Sequence, residues 1–397
     1  MNKKMMNLGK SRSVIREIFE YAKRRKAEIG SDKVFDFSIG NPSVPSPYSV
    51  KETLQELIEN TDPVILHGYT SAQGDAAVRK SISDHIEKSY NSGSALISSP
   101  DLIYVTSGAA AALTCTLTAI LNEGDEVIAL APFFPEYRVF TERTGAKLVP
   151  VMCDEETMRP SIDRLREAIN GSTAALIINS PNNPTGVVYP EEDIAAISAL
   201  LKEKSKEIGR PIYIIADEPY RELVYGDVKV PYIPLYYENT VVCYSLSKSL
   251  SLPGERIGYV SVSPRAAEAN ELYMAVCGAG RALGFVCASS LFQFLMQRLI
   301  GQTSDMSIYE SNRDLLCSAL SQYGYQTAKP DGAFYLFVKS LEPDSKAFCE
   351  RAKKYELLLV PSDDFGCEGY VRIAYCTSRE QIKNSLPAFR ALAESYK

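Results

Sequence analysis

The sequence predicts an α/β protein: a mostly parallel, seven-stranded sheet covered by helices, followed by a smaller α+β layer. Three observations carry this. Seven short β-branched runs lie between residues 102 and 262. Several are separated by stretches of helical periodicity, the alternation that a parallel sheet with crossover helices requires. Beyond Pro264 the pattern turns helical and then returns to three short strand-like runs.

Taken in order, Val14, Ile15, Ile18, Phe19 and Ala22 recur at helical spacing, so an amphipathic helix is expected from Ser13 to about Ile29, with Gly30 as its stop. The Pro/Ser-rich chain from Gly40 to Pro47 reads as a connection between layers. Strands are expected at Leu102–Thr106, Glu126–Leu130, Lys147–Met152, Ala175–Ile178, Ile212–Ala216, Val241–Tyr244 and Ile257–Val262. Helices fall between them, among others at Ser161–Ile169 and Glu191–Lys204. The weakly polar run Val105–Leu121 is interrupted by Thr and Ser, and reads as a buried helix rather than a membrane span. Further on, helices are expected at Leu283–Leu299 and Tyr309–Tyr323, strands at Ala333–Val338, Leu357–Val360 and Tyr370–Ala374, and a closing helix near the C-terminus.

Composition narrows the chemistry. The 397 residues carry 43 Lys+Arg against 49 Asp+Glu, a formal charge of −6. That balance is a poor match to a nucleic-acid binder, which needs basic phosphate contacts. Only His67 and His85 are available, so a His-rich metal site is excluded. With no Trp and 24 Tyr, a flat ligand would stack on Tyr or Phe. The nine cysteines are scattered, with no CxxC, and read as buried thiols of a reducing compartment rather than as disulfides or a zinc ribbon. Met1-Asn2-Lys3-Lys4 has no apolar stretch behind it, so no secretory signal is read and a cytoplasmic protein is expected.

In parallel sheets, ligands bind at the carboxyl ends of the strands. Five predicted strands are followed by small, polar or aromatic groups: Ser107-Gly108-Ala109-Ala110, Ala131-Pro132-Phe133-Phe134-Pro135, Asn179 through Gly186, Asp217-Glu218-Pro219-Tyr220, and Ser245-Leu246-Ser247-Lys248. A lysine at a buried strand end loses hydration and deprotonates more easily. A neutral amine can form a Schiff base with an aldehyde. Ser245, Ser247 and Arg256 are phosphate-binding groups beside it. Together they suggest an aldehyde carrying a phosphate, pyridoxal 5′-phosphate. Alone, SxSK would read as a solvated lysine in a serine-rich loop. Asp217 can hold a pyridine nitrogen protonated. Tyr220 and Asn183 can hydrogen-bond the ring's 3′-oxygen, and Phe134 can stack on the ring. Gly108, Ala109 and Ala110 open an apolar helix whose N–H groups can hold the phosphate.

The stretch around Lys248 resembles the cofactor-attachment signature of the class I/II aminotransferases, pyridoxal-phosphate enzymes of fold type I. The resemblance covers nearly the whole chain in order: Gly40, Tyr69 with Gly74 and Arg79, Thr106-Ser107-Gly108, Pro132 to Tyr137, NNPTG, DEPY, SLSK…R, Pro330 to Tyr335, and Val371-Arg372-Ile373. It implies an arm and small-domain segment at 1–45, a large cofactor-binding domain at 46–300 and a small C-terminal domain at 301–397. It implies a homodimer in which Tyr69 reaches the partner's cofactor phosphate, and an Arg372 that forks onto the substrate α-carboxylate beside Gly40 and Asn183. Read by periodicity alone, Arg372 is a surface strand residue. Arg281 is a candidate for a distal carboxylate and equally a surface arginine at a helix start. The chain departs from relatives in Ser362 after Pro361, in Phe134 where some have Trp or Tyr, and in Ala109-Ala110, which removes a lysine that some aspartate-type relatives place near the distal carboxylate.

The expected activity is amino-group transfer between an L-α-amino acid and a 2-oxo acid such as 2-oxoglutarate, with an aspartate-like, aromatic or broad donor range. A C–S β-lyase would use nearly the same residues. A DNA-binding regulator built on this fold is disfavoured, because about 35 residues precede the resemblance, too few for a winged helix-turn-helix.

Overall fold

A computed structural model of the chain describes residues 1–10 and 14–397. Its strands are β1 (Phe35–Asp36), β2 (Ile103–Thr106), β3 (Glu126–Ala131), β4 (Lys147–Met152), β5 (Thr173–Asn179), β6 (Tyr213–Asp217), β7 (Thr240–Ser245), β8 (Gly258–Val262), β9 (Tyr335–Lys339), β10 (Leu357–Leu358), β11 (Val360–Pro361) and β12 (Tyr370–Ala374). Seven of them form one sheet in the order β2-β8-β7-β6-β5-β3-β4. Every neighbouring pair from β7 to β4 is parallel, whereas β8 runs antiparallel to both β7 and β2.

Both faces of this sheet are apolar, as buried parallel strands require. Along β3, Val127, Ala129 and Ala131 pack on one face, against the helices Ala109–Ile120 and Ala269–Leu283. Ile128 and Leu130 face the other way, into a core shared with Ile194, Ile197 and Leu201 of the helix Glu191–Ile208. Each such Leu, Ile or Val contributes about 1.5–3 kcal/mol on burial. All nine cysteines are free thiols. Among the described residues, no helix is long and apolar enough to cross a membrane.

The direction of β8 matters for the site. The parallel strands end at the same sheet edge at which β8 begins, because the chain turns back after β7. Gly258, the first residue of β8, is registered with both Thr106 and Ser245, the last residues of β2 and β7. Arg256, two residues earlier, is thereby returned to the edge where Lys248 lies.

The second layer is a three-stranded antiparallel sheet, β11-β12-β9, with the short parallel pair β1–β10 beside it. Its core joins Phe37 and Val44 to Leu316, Phe348, Ile373 and Phe389. Two expectations are corrected. Leu357–Val360 is not one strand: Leu357–Leu358 pairs with β1 and Val360–Pro361 with β12, so the chain changes partners at the buried Leu359. Leu283–Leu299 is not one helix either. A helix, Ala269–Leu283, ends as the chain turns left-handed at Gly284, and a second, Ser290–Leu299, begins after Ser289. The apolar pattern runs on through this break and hides it. At the N-terminus the first long helix spans Val14–Ile29, burying Ile18 and Ala22; its expected first residue, Ser13, lies outside the described residues. A further short helix, Lys3–Lys10, was not foreseen.

A Cβ built on Gly258 would lie 2.2 Å from the carbonyl oxygen of Tyr244. Backbone cannot yield there as a side chain would. Gly258→Ala should therefore lower the thermal midpoint, by a free energy of about 1–3 kcal/mol. A melting curve matching the wild type would contradict the close approach.

Candidate active site

A cavity of about 350 Å³ opens at the carboxyl edge of the large sheet, where the smaller layer meets it. Its wall includes Gly40, Ala109, Ala110, Phe134, Asn183, Asp217, Tyr220, Ser245, Ser247, Lys248, Arg256 and Arg372. Residues that lie far apart in the sequence thus converge, because five strands end here and β12 crosses above them.

Lys248 sits on a short helical turn, Leu246–Ser249, directly after β7. Its amine donates to the Gly40 carbonyl at 2.8 Å and lies 5.4 Å from the centre of the Phe334 ring. Burial, helped by the cations Arg372 and Arg256, lowers its pKa to about 8, although Cys376 pulls the other way. A usable fraction of neutral amine near physiological pH follows.

Asp217 is the last residue of β6 and is 5% exposed. Its Oδ2 accepts a hydrogen bond from the Tyr137 hydroxyl, while Oδ1 is buried with no partner among the described residues. Burial raises its pKa to about 7 against the effect of Tyr137. An orphaned, desolvated carboxylate oxygen of this kind suits a ring N–H. Asn179 ties the neighbouring strand end to it, donating to the Asp217 carbonyl at 2.8 Å and accepting from the Asn183 amide at 2.7 Å. Asn183 Oδ1 in turn accepts from Arg372 at 3.1 Å, which leaves its N–H₂ group for a ligand. Tyr220 is buried, with its hydroxyl 3.0 Å from that of Tyr335.

Arg372, in β12, is 2% exposed. It donates to the Ser38 carbonyl at 2.6 Å, and its Nε has no partner. Its guanidinium lies over the rings of Tyr335 and Phe365, at 4.7 and 5.3 Å from their centres. Among the described residues, no carboxylate pairs with it. The fit to pyridoxal phosphate extends to the phosphate end. There the N-terminus of Ala109–Ile120, capped by Gly108, meets Arg256 and the partnerless, buried Ser245 Oγ.

Two candidates lie elsewhere in the single chain. Tyr69 is 98% exposed. Arg281 lies in the last turn of Ala269–Leu283, on its exposed side, and does not line the cavity. That helix turns Leu272, Val276 and Ala279 to the sheet, which leaves Arg281 facing outward. Sequence reasoning also passed over several wall residues: Tyr335, Asn179, Leu113, Ile39 and Ile15, together with Tyr137 behind Asp217. Tyr137 and Tyr335 stood within quoted motifs. Asn179 stood in a quoted strand-end segment with no role given to it, and the others are apolar residues that carry no signal of their own.

The sequence matches the family described as aminotransferase class I and II over residues 32–389. A solved aminotransferase structure from Eubacterium rectale superposes with a TM-score of 0.97 at 54% identity, covering 100% of this chain and 99% of that one. The aspartate aminotransferase of Thermotoga maritima is 29% identical over 89% of this chain and 90% of its own length. The aromatic-amino-acid aminotransferase 2 of Thermococcus litoralis is 29% identical, with 94% of each chain covered.

Asp217 holds its proton more tightly in the folded chain than in the unfolded one. Burying it therefore costs stability above the ordinary carboxylate range, and the cost grows until the pH passes about 7. In the cofactor-free protein, Asp217→Asn should raise the thermal midpoint at about pH 8 and leave it unchanged at about pH 4. An equal effect at both would contradict the desolvated carboxyl.

Proposed function

The chain belongs to the aminotransferase class I and II family and is a pyridoxal-phosphate-dependent transaminase; we propose that it moves the amino group between an L-α-amino acid with an apolar or aromatic side chain and a 2-oxo acid, with 2-oxoglutarate as an acceptor. The observation that carries this reading is Arg372, a buried guanidinium with no carboxylate partner among the described residues, sharing one cavity with Lys248 and Asp217. An unpaired buried cation is costly unless an anion joins it. The α-carboxylate of an amino acid is that anion, and a planar fork suits it.

When bound, the cofactor supplies an aldehyde for the substrate nitrogen and a protonated ring that accepts the electron pair released at Cα. The residues act around it. Asp217 Oδ1 keeps the proton on the ring nitrogen. Tyr220 and the Asn183 amide would hold the 3′-oxygen, and Phe134 would pack on the ring. Ser245, Ser247, Arg256 and the N–H groups after Gly108 hold the phosphate. The Lys248 amine would take the proton from substrate Cα as base and give it back, as acid, on the far side of the substrate nitrogen.

The donor preference is supported by Ile15, Ile39 and Leu113 on the wall. Among the described residues, every cation lining the cavity (Lys248, Arg256, Arg372) already has a role. A dicarboxylic substrate would need its distal cation from outside this wall, where Arg281 is the candidate. A homodimer that brings Tyr69 of a second copy to the phosphate accords with the exposure of Tyr69 beside Val64 and Ile65, which are 80% and 62% exposed.

A panel of amino donors with 2-oxoglutarate tests the reading: leucine- or phenylalanine-like donors should exceed aspartate in kcat/KM. Arg372→Lys should cost about 10–100-fold for every donor alike, the equivalent of roughly 1.5–3 kcal/mol of charged hydrogen bonding. A loss confined to one donor class, or aspartate as the best donor, would contradict it.

A further inference from the structure

The turn that carries Lys248 is four residues long, too short to hold itself in place. Its backbone anchors are modest: Leu246 N–H to the Ile257 carbonyl at 3.2 Å, and Leu250 N–H to the Leu246 carbonyl at 3.4 Å. Stronger restraints meet at Ser249, the next residue after Lys248. Its carbonyl accepts from the Ser304 amide at 2.7 Å, and its hydroxyl, fully buried, lies 3.1 Å from the Tyr244 hydroxyl. Tyr244 in β7 donates to Glu222 Oε1 at 2.9 Å, so its oxygen is left to accept from Ser249. Its ring stacks on Tyr259 of β8, with centres 5.1 Å apart. The phenol is thus pinned at its face and at its tip. Glu222 Oε2 is buried without a partner among the described residues.

We propose that Tyr244 is a positioning residue for Lys248, locking the turn through Ser249 and taking its own orientation from Glu222. Burial pushes Glu222 up to about 7, while the Tyr244 hydroxyl and Arg221 favour its charged form. Glu218 on the same segment and Tyr90 of the helix Ala76–Tyr90 are the other titratable groups facing it. The Lys248 amine itself faces Arg372, Arg256 and Cys376, and lies over the Tyr220 and Phe334 rings. None of these groups belongs to the Tyr244 chain. Desolvation is the largest cause of the lowered value, so loosening the turn, which lets water reach the amine, should raise its pKa.

The proposal rests on Lys248 being the acting amine, and the test reads that amine without the reaction. The cofactor-free protein is labelled with trace acetic anhydride across neutral to alkaline pH, and the Lys248 peptide is quantified by mass spectrometry. The wild-type midpoint should lie near 8. Tyr244→Phe and Ser249→Ala should each raise it by at least about 0.5 unit, a roughly threefold drop in neutral amine at fixed pH. Ile382→Val, in the core of the smaller layer, should leave it unmoved. Ser249→Ala carries the test if Tyr244→Phe does not fold. An unmoved midpoint in either variant overturns the proposal, the second because the coupling would not run through Ser249. A wild-type midpoint at the ordinary lysine value instead overturns the reading of Lys248, a separate failure.

Discussion

Lys248 and Arg372 share one cavity, and among the described residues neither has a carboxylate partner. Their polar partners are the carbonyls of Gly40 and Ser38 and the amide oxygen of Asn183. Dipoles of this kind orient a cation without neutralising it. At the end of β6, the strand beside the one that leads to Lys248, Asp217 is buried with one oxygen unpartnered among the described residues, and its proton is held up to about pH 7. Charges left incomplete in this way define the ligand: an anion against Arg372, a proton donor against Asp217, and an electrophile at the Lys248 amine. The same desolvation that costs stability makes each group act on a ligand more strongly than it would in water.

The fold bears that cost through its layers. The large sheet is apolar on both faces, and the polar groups that line the cavity stand at its carboxyl edge. The one change of strand direction, at β8, brings Arg256 back to that edge. The smaller layer contributes Arg372 and Tyr335 from above, so the cavity exists only where the two layers meet. Behind the wall, Tyr137 and Tyr244 touch the functional groups rather than the cavity space, and together with Asn179 of the wall they hold Asp217, Asn183 and the Lys248 turn in place.

The central sheet was legible because its strands are short β-branched runs with clear breaks, and Lys147–Met152 and Tyr370–Ala374 match to the residue. The turn at Gly284 was not, since apolar residues continue on both sides and only the backbone conformation marks it. The switch of partners at Leu359 was hidden for the same reason: both halves are equally apolar. Chemistry-bearing side chains at strand ends stood out in the sequence. The wall residues Ile15, Ile39 and Leu113 did not, because what makes them part of a site is packing between layers, which no local pattern records.

The central claim is that the strand-end amine of Lys248 is the point of covalent attachment. Borohydride reduction of the loaded enzyme, followed by peptide mapping, tests it most directly. The reduced cofactor should be found on the peptide containing Lys248 and be lost in Lys248→Ala. Recovery of the label on any other lysine would contradict it.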